Sequence, residues 1–211
     1  MSTPSFARRE RHALCDLALD LGPDAPTLCG EWTAAELVAH LLVRETRPLG
    51  AAGIVVSALA GITERDMASF ARRGLPAMVG ALRDPGLTPF ALPPVERLAN
   101  TMEYFVHHED LRRAQPGWEP RRLDQRDQSR IWTSLRPFGI LLVRSAGVPV
   151  TLRRSDTGAT ATLRRGADPV VLTGLPSELA LRLFGRARVH GLELEGPAGR
   201  VAAFRAADLS F

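Results

Sequence analysis

Lysine is missing from this 211-residue chain: all 27 of its Lys+Arg residues are arginine. Tyrosine occurs once and cysteine twice. Each scarcity excludes something. A nucleic-acid binder usually mixes lysine with arginine and interleaves them with aromatics. Here the arginines are scattered, aromatics are 6% and the net charge is only +4, so no nucleic-acid partner is expected. Exclusive use of arginine, beside abundant alanine and glycine, reads as the codon bias of a GC-rich genome. Cys15 and Cys29 give neither a disulfide framework nor a metal-ligand spacing. Cys15 falls in an apolar helical pattern and reads as a small core residue, while Cys29, before a glycine in a loop, is the better candidate for reactivity. Long hydrophobic runs are lacking too. The most apolar stretch, residues 49–62, is too short and too rich in glycine to span a bilayer. The first ten residues carry no apolar signal segment. The expectation is a cytoplasmic protein with no membrane partner.

What is present reads first as helix. Residues 5–21 place Phe6, Leu14, Leu17, Ala18 and Leu21 on one stripe, ended by Gly22-Pro23. Thr33-Ala-Ala-Glu36 is a capping box, and the helix behind it carries Leu37, His40, Leu41 and Arg44 on one face up to Pro48. A third helical region covers 54–82, with breaks at Gly61 and at Gly74-Leu-Pro76. Pro93-Pro94 opens a fourth helix that runs to about Gln115, with Leu98, Met102, Phe105 and Val106 as its apolar stripe. A fifth spans 124–145, where Pro137 is expected to kink it or start a new turn.

The pattern then changes. Residues 148–152, 159–163 and 169–172 are short, β-branched, period-two runs between turn signals. A short helix with Ser177 as its cap, a strand at 192–195 and a terminal helix after Pro197 complete the chain. The expected fold class is α+β: a helical bundle over 1–146, then a small mixed α/β domain over 147–211.

One pair of side chains carries the functional argument. Glu103 and His107 lie four apart on the fourth helix, so both leave the same face, one turn apart. His40 sits inward on the second helix, between Leu37 and Leu41. Two imidazoles and a carboxylate suit a divalent metal with one position left for water or substrate. Bundles build metal sites in this way from facing helices. The same spacing also arises by chance, and an inward histidine is commonly a hydrogen-bonded core residue, so both readings stand on the residues alone. His108 points about 100° away from His107 and cannot share its site. His12 reads as solvent-facing, and Glu109, Asp110, Arg112 and Arg113 read as a solvated acidic-basic face.

Two segments together, Glu31-Trp-Thr-Ala-Ala-Glu-Leu-Val-Ala-His40 and Asn100-Thr-Met-Glu-Tyr-Phe-Val-His-His-Glu-Asp110, resemble the mycothiol-dependent maleylpyruvate isomerase family of DinB-like metal-binding four-helix bundles. The likeness is nearest to the actinobacterial metal-binding branch and extends over almost the whole chain. It implies a DinB-like bundle with a C-terminal α+β tail, and zinc or another divalent metal on His40, Glu103 and His107. It also implies mycothiol, a small thiol, as cosubstrate. The thiol would add to a small electrophile, either reversibly, for isomerisation about a conjugated double bond, or as an S-transfer. For an anionic electrophile Arg44, one turn after His40, is the first candidate guanidinium. Arg72, Arg73, Arg182 and Arg186 are weaker candidates. The competing readings are a non-catalytic metal-containing module carrying an apolar ligand or partner in the C-terminal domain, and a purely structural site. The sequence leaves monomer and homodimer equally open.

Overall fold

The computed structural model describes residues 4–86, 88, 90, 92 and 95–209. It divides into two compact units, Met1–Glu119 and Pro120–Phe211.

The first unit is helical. Helix α1 (Phe6–Leu21) begins where the Ser5 hydroxyl accepts from Arg8 N at 3.1 Å. It ends at Gly22, whose φ of 88° favours a residue without a Cβ. Helix α2 (Ala34–Thr46) carries the expected capping box: Glu36 N donates to Thr33 Oγ1 at 3.3 Å and Thr33 N to Glu36 Oε2 at 2.8 Å. Pro48 sits in the first turn of α3 (Pro48–Val55), where a missing N–H costs nothing. Helices α4 (Ala60–Ala71) and α5 (Leu75–Arg83) are separated at Gly74, as expected. Gly61 breaks nothing and lies in the first turn of α4; the interruption falls instead at Val56, after α3. Helix α6 (Thr101–Ala114) is entered through a π-helical turn, Glu96–Asn100. The expected Pro93-Pro94 opening lies outside the described residues.

Helix α1 packs on α5 and α6, and α2 packs on α4 and α5. Leu14, Leu37, Leu41, Leu42, Met78, Leu82, Tyr104 and Leu111 fill the shared core. Each aliphatic side chain buried there contributes on the order of 1.5–3 kcal/mol. The apolar stripe of α6 is as expected at Met102, Phe105 and Val106, but Leu98 is 39% exposed. The π-turn holds an extra residue, which rotates everything before Thr101 by about 100° relative to the helix behind it. The supposedly solvated face is also buried. Glu109, Asp110 and Arg113 are each at most 1% exposed. Glu109 satisfies Arg113 Nε at 2.5 Å and Arg112 at 3.0 Å, and Arg113 lies over the Trp118 ring. His12 is half-buried rather than solvent-facing.

The second unit is mixed. Helix α7 (Gln125–Leu142), capped by Asp124, runs through Pro137 without ending. Its apolar side, with Ile131, Trp132, Leu135 and Leu142 buried, packs against α8 (Pro176–Leu183) and strand β2 (Thr160–Arg164). The fifth helix therefore belongs with the sheet and not, as the 146/147 division has it, with the bundle. Gly139 is where α7 touches β2; a Cβ there would stand 2.8 Å from Leu163 Cδ2. Strands β1 (Val150–Arg154), β2, β3 (Val170–Gly174) and β4 (Glu193–Glu195) form a sheet in the order β2-β1-β3-β4. The β1–β3 pair is parallel and the other two antiparallel. Helix α9 (Ala198–Ala206) closes the unit against β3. Ser177 is not the cap of α8: its N–H donates to Gln128 Oε1 at 3.0 Å and its hydroxyl accepts from Gln128 Nε2 at 3.1 Å, so a side chain of α7 serves that helix start. The fold is α+β, and among the described residues no helix is long and apolar enough to cross a membrane.

Candidate metal centre

The structure brings together His40 from α2 and Glu103 and His107 from α6. Glu103 Oε1 lies 3.5 Å from His40 Nε2 and 3.4 Å from His107 Nε2. The two imidazole centroids are 5.4 Å apart and the rings nearly perpendicular, at 72°. Metal–ligand bonds of about 2.0–2.2 Å put tetrahedral ligand atoms about 3.3–3.6 Å apart. The Glu–His separations match that edge, so the residues present fit a divalent metal. Side-chain exposure is 8% at His40, 13% at His107 and 22% at Glu103, so the carboxylate residue is the least buried of the three.

Each ligand candidate is held from behind. Glu103 Oε2 faces Arg44 Nε at 3.4 Å, and Arg44 Nη1 donates to Asn100 Oδ1 at 2.9 Å. Asn100 Nδ2 donates in turn to Phe90 O, and the Arg44 guanidinium lies over the Phe90 ring at 4.2 Å. Burial alone would raise the Glu103 carboxyl, but Arg44 and the two imidazoles hold it well below the usual carboxylate range. His107 Nδ1 donates to Asp110 Oδ2 at 3.0 Å. Burial works to lower this imidazole, yet hydrogen bonds to Asp110, Cys29 and Glu103 lift it well above the ordinary histidine value. His40, packed against Trp32 at 4.9 Å, is lowered by its burial.

A second group of donor atoms, Cys29, His107 and Asp110, adjoins the first. The Cys29 thiol donates to Asp110 Oδ2 at 2.9 Å and lies 3.5 Å from His107 Nδ1. The two contacts to Asp110 are hydrogen-bond distances between donor and acceptor, too short for ligands spread around an ion. Cys29 and Asp110 approach His107 from its Nδ1 side, opposite the nitrogen that faces Glu103.

Sequence reasoning named His40, Glu103, His107 and Arg44, and all four meet here. It missed Asn100, and it placed Asp110 on a solvated face. It noticed Cys29 without a partner. A signal for Asp110 existed, since i,i+3 spacing from His107 puts it on the same helix face. The remaining candidates take no part in the contacts among His40, Glu103 and His107. His108 Nδ1 pairs with Glu10 at 2.9 Å in the α1–α6 contact. Arg72 and Arg73 are exposed, and Arg182 and Arg186 belong to the second unit.

No protein-family model matches this sequence, and no curated protein matches it. Two solved structures do share its fold. A crystal structure of the mycothiol-dependent maleylpyruvate isomerase superposes with a TM-score of 0.58 over 90% of both chains, at 14% identity. A histidine-to-alanine mutant of that isomerase gives 0.56 over the same shares, at 16% identity.

Proposed function

We propose that His40, Glu103 and His107 hold a divalent metal, zinc by preference, and that the protein is an enzyme using a low-molecular-weight thiol of the mycothiol type on a small electrophile. The observation that carries this reading is the convergence of three donor atoms within 4.8 Å of one another, with both Glu–His separations at a tetrahedral edge. The fold shared over 90% of both chains with a mycothiol-dependent isomerase supports the thiol and an isomerase-type reaction, with S-transfer to the same kind of electrophile as the alternative outcome. A metal held there would act as a Lewis acid, making a thiolate or hydroxide available near neutral pH.

The chain's own residues supply the rest. His40 and, once its Nε2 proton is displaced, His107 would present Nε2 lone pairs, and Glu103 supplies one anionic oxygen while Arg44 neutralises the other. Trp32 covers one side of His40 and limits water there. Arg44 was the first candidate for binding an anionic substrate. Its guanidinium already faces Glu103 and Asn100, so a substrate anion would compete with the protein's own carboxylate. Holding Glu103 is the role its contacts favour. A closed structural site is disfavoured, because the described residues around this centre offer three ligands and no fourth.

Isothermal titration of mycothiol into metal-loaded and metal-free protein tests the proposal. Binding confined to the loaded form, and lost in His40→Ala, is expected. Equal thiol binding, or equal conjugation of an electrophile, by the metal-free protein would overturn it.

A further inference from the structure

The segment between α1 and α2 touches both imidazoles. Trp32 packs on the His40 ring and Cys29 stands behind His107. That segment is tied to α6 chiefly at one residue. Asp110 O accepts from Leu28 N at 3.1 Å, while Asp110 Oδ2 accepts from both the Cys29 thiol, at 2.9 Å, and His107 Nδ1, at 3.0 Å. Its side chain is wholly buried, so the carboxylate has no water to replace these partners. Within the segment, Thr27 Oγ1 accepts from Cys29 N at 3.1 Å and donates to Trp32 O at 2.7 Å, which links the cysteine to the tryptophan.

We propose that Asp110 is the positioning residue of the centre, fixing the His107 tautomer with Nε2 toward Glu103 and locking the Cys29–Trp32 segment onto both histidines. This inference rests on the metal reading above. The chemistry supports it directly. A neutral imidazole carries one N–H, and a carboxylate that accepts it at Nδ1 leaves the Nε2 lone pair for a ligand bond. Loss of such an outer partner typically costs about 10–100-fold in metal affinity. Cys29 acts in this scheme through Asp110 rather than as a ligand. Its thiol proton occupies the same oxygen and restricts how the carboxylate can turn.

The test is a double-mutant cycle on Zn2+ affinity, read by chelator competition, in the full-length wild type, Asp110→Ala, Cys29→Ala and the double variant. Asp110→Ala is expected to bind about 10–100-fold more weakly. Cys29→Ala should lose a few-fold in the wild-type background and nothing further beside Asp110→Ala. Asp110→Asn, which keeps an accepting oxygen without the charge, should fall between. Co2+-loaded samples add a readout that a purely structural role would not move: the visible ligand-field bands should shift in Asp110→Ala and return most of the way in Asp110→Asn. Circular dichroism checks that each variant is folded; should Asp110→Ala fail to fold, Asp110→Asn and Cys29→Ala carry the test. Wild-type affinity in Asp110→Ala or Asp110→Asn, or strictly additive losses in the cycle, would overturn the positioning role while leaving the metal site standing. A wild type that binds no Zn2+ would overturn the metal reading itself, and this inference with it.

Discussion

Arg44 and Glu103 face each other through Nε and Oε2 at 3.4 Å, which leaves Oε1 of the same carboxylate to the two imidazoles. One oxygen is neutralised by the protein and the other is turned toward the donor cluster. A carboxylate so divided is suited to monodentate ligation.

Replacing Arg44 should therefore loosen the metal without touching a ligand. Arg44→Ala removes both the Glu103 and Asn100 contacts, and a roughly tenfold or greater loss of metal affinity is expected. Arg44→Lys should not restore it, since an ammonium cannot present Nε and Nη1 in the guanidinium's fixed fork. Chelator competition measures both. Full affinity in the lysine variant would show that charge alone suffices.

Metal uptake should release a proton. In the metal-free protein the hydrogen bonds of His107 keep its value well above that of an ordinary histidine, while burial keeps His40 below it. At pH 7 His40 is neutral and His107 carries a proton the metal must displace. Affinity should rise with pH above 7 and level off once His107 is deprotonated, with about one proton released per metal near neutrality. Titration calorimetry in buffers of different ionisation enthalpy counts that proton. A count of zero at pH 7 contradicts the assignment.

Beside the centre lies a second buried network with a stability role. Tyr104 donates to Glu45 Oε1 at 2.6 Å, Arg11 meets the same oxygen at 2.5 Å, and the Glu45 side chain has no exposed surface. Tyr104→Phe leaves this carboxylate with one donor fewer and should cost about 1.5–3 kcal/mol in urea unfolding. Metal affinity should change little, because Tyr104 leaves α6 on a different face from Glu103. A loss below about 0.5 kcal/mol, the usual ceiling for an unimportant surface change, would show that the bond contributes little.

Much of this was legible in the sequence because it is local. The capping box at Thr33 and Glu36, the helix stop at Gly22 and the i,i+4 relation of Glu103 to His107 all depend on residues within one or two turns. What was not legible depends on contacts distant in sequence. Cys29 meets Asp110 across 81 positions, a pairing that no spacing announces. The Glu109–Arg113 pair has the i,i+4 pattern of an exposed ion pair, and only the packing around it makes it buried. Leu98 was misplaced because a π-turn shifts the helical phase, and nothing in the residues 96–100 marks that turn. The fifth helix was assigned to the bundle by its amphipathic pattern, which gives a face but does not name what covers it.

The most direct test of the central claim is elemental analysis of the purified protein beside His40→Ala and His107→Ala, each checked for folding by circular dichroism. About one divalent metal ion per wild-type chain, and close to none in either folded variant, is the result predicted from the donor geometry. Equal metal content in the three proteins, or none in the wild type after incubation with Zn2+, would contradict it.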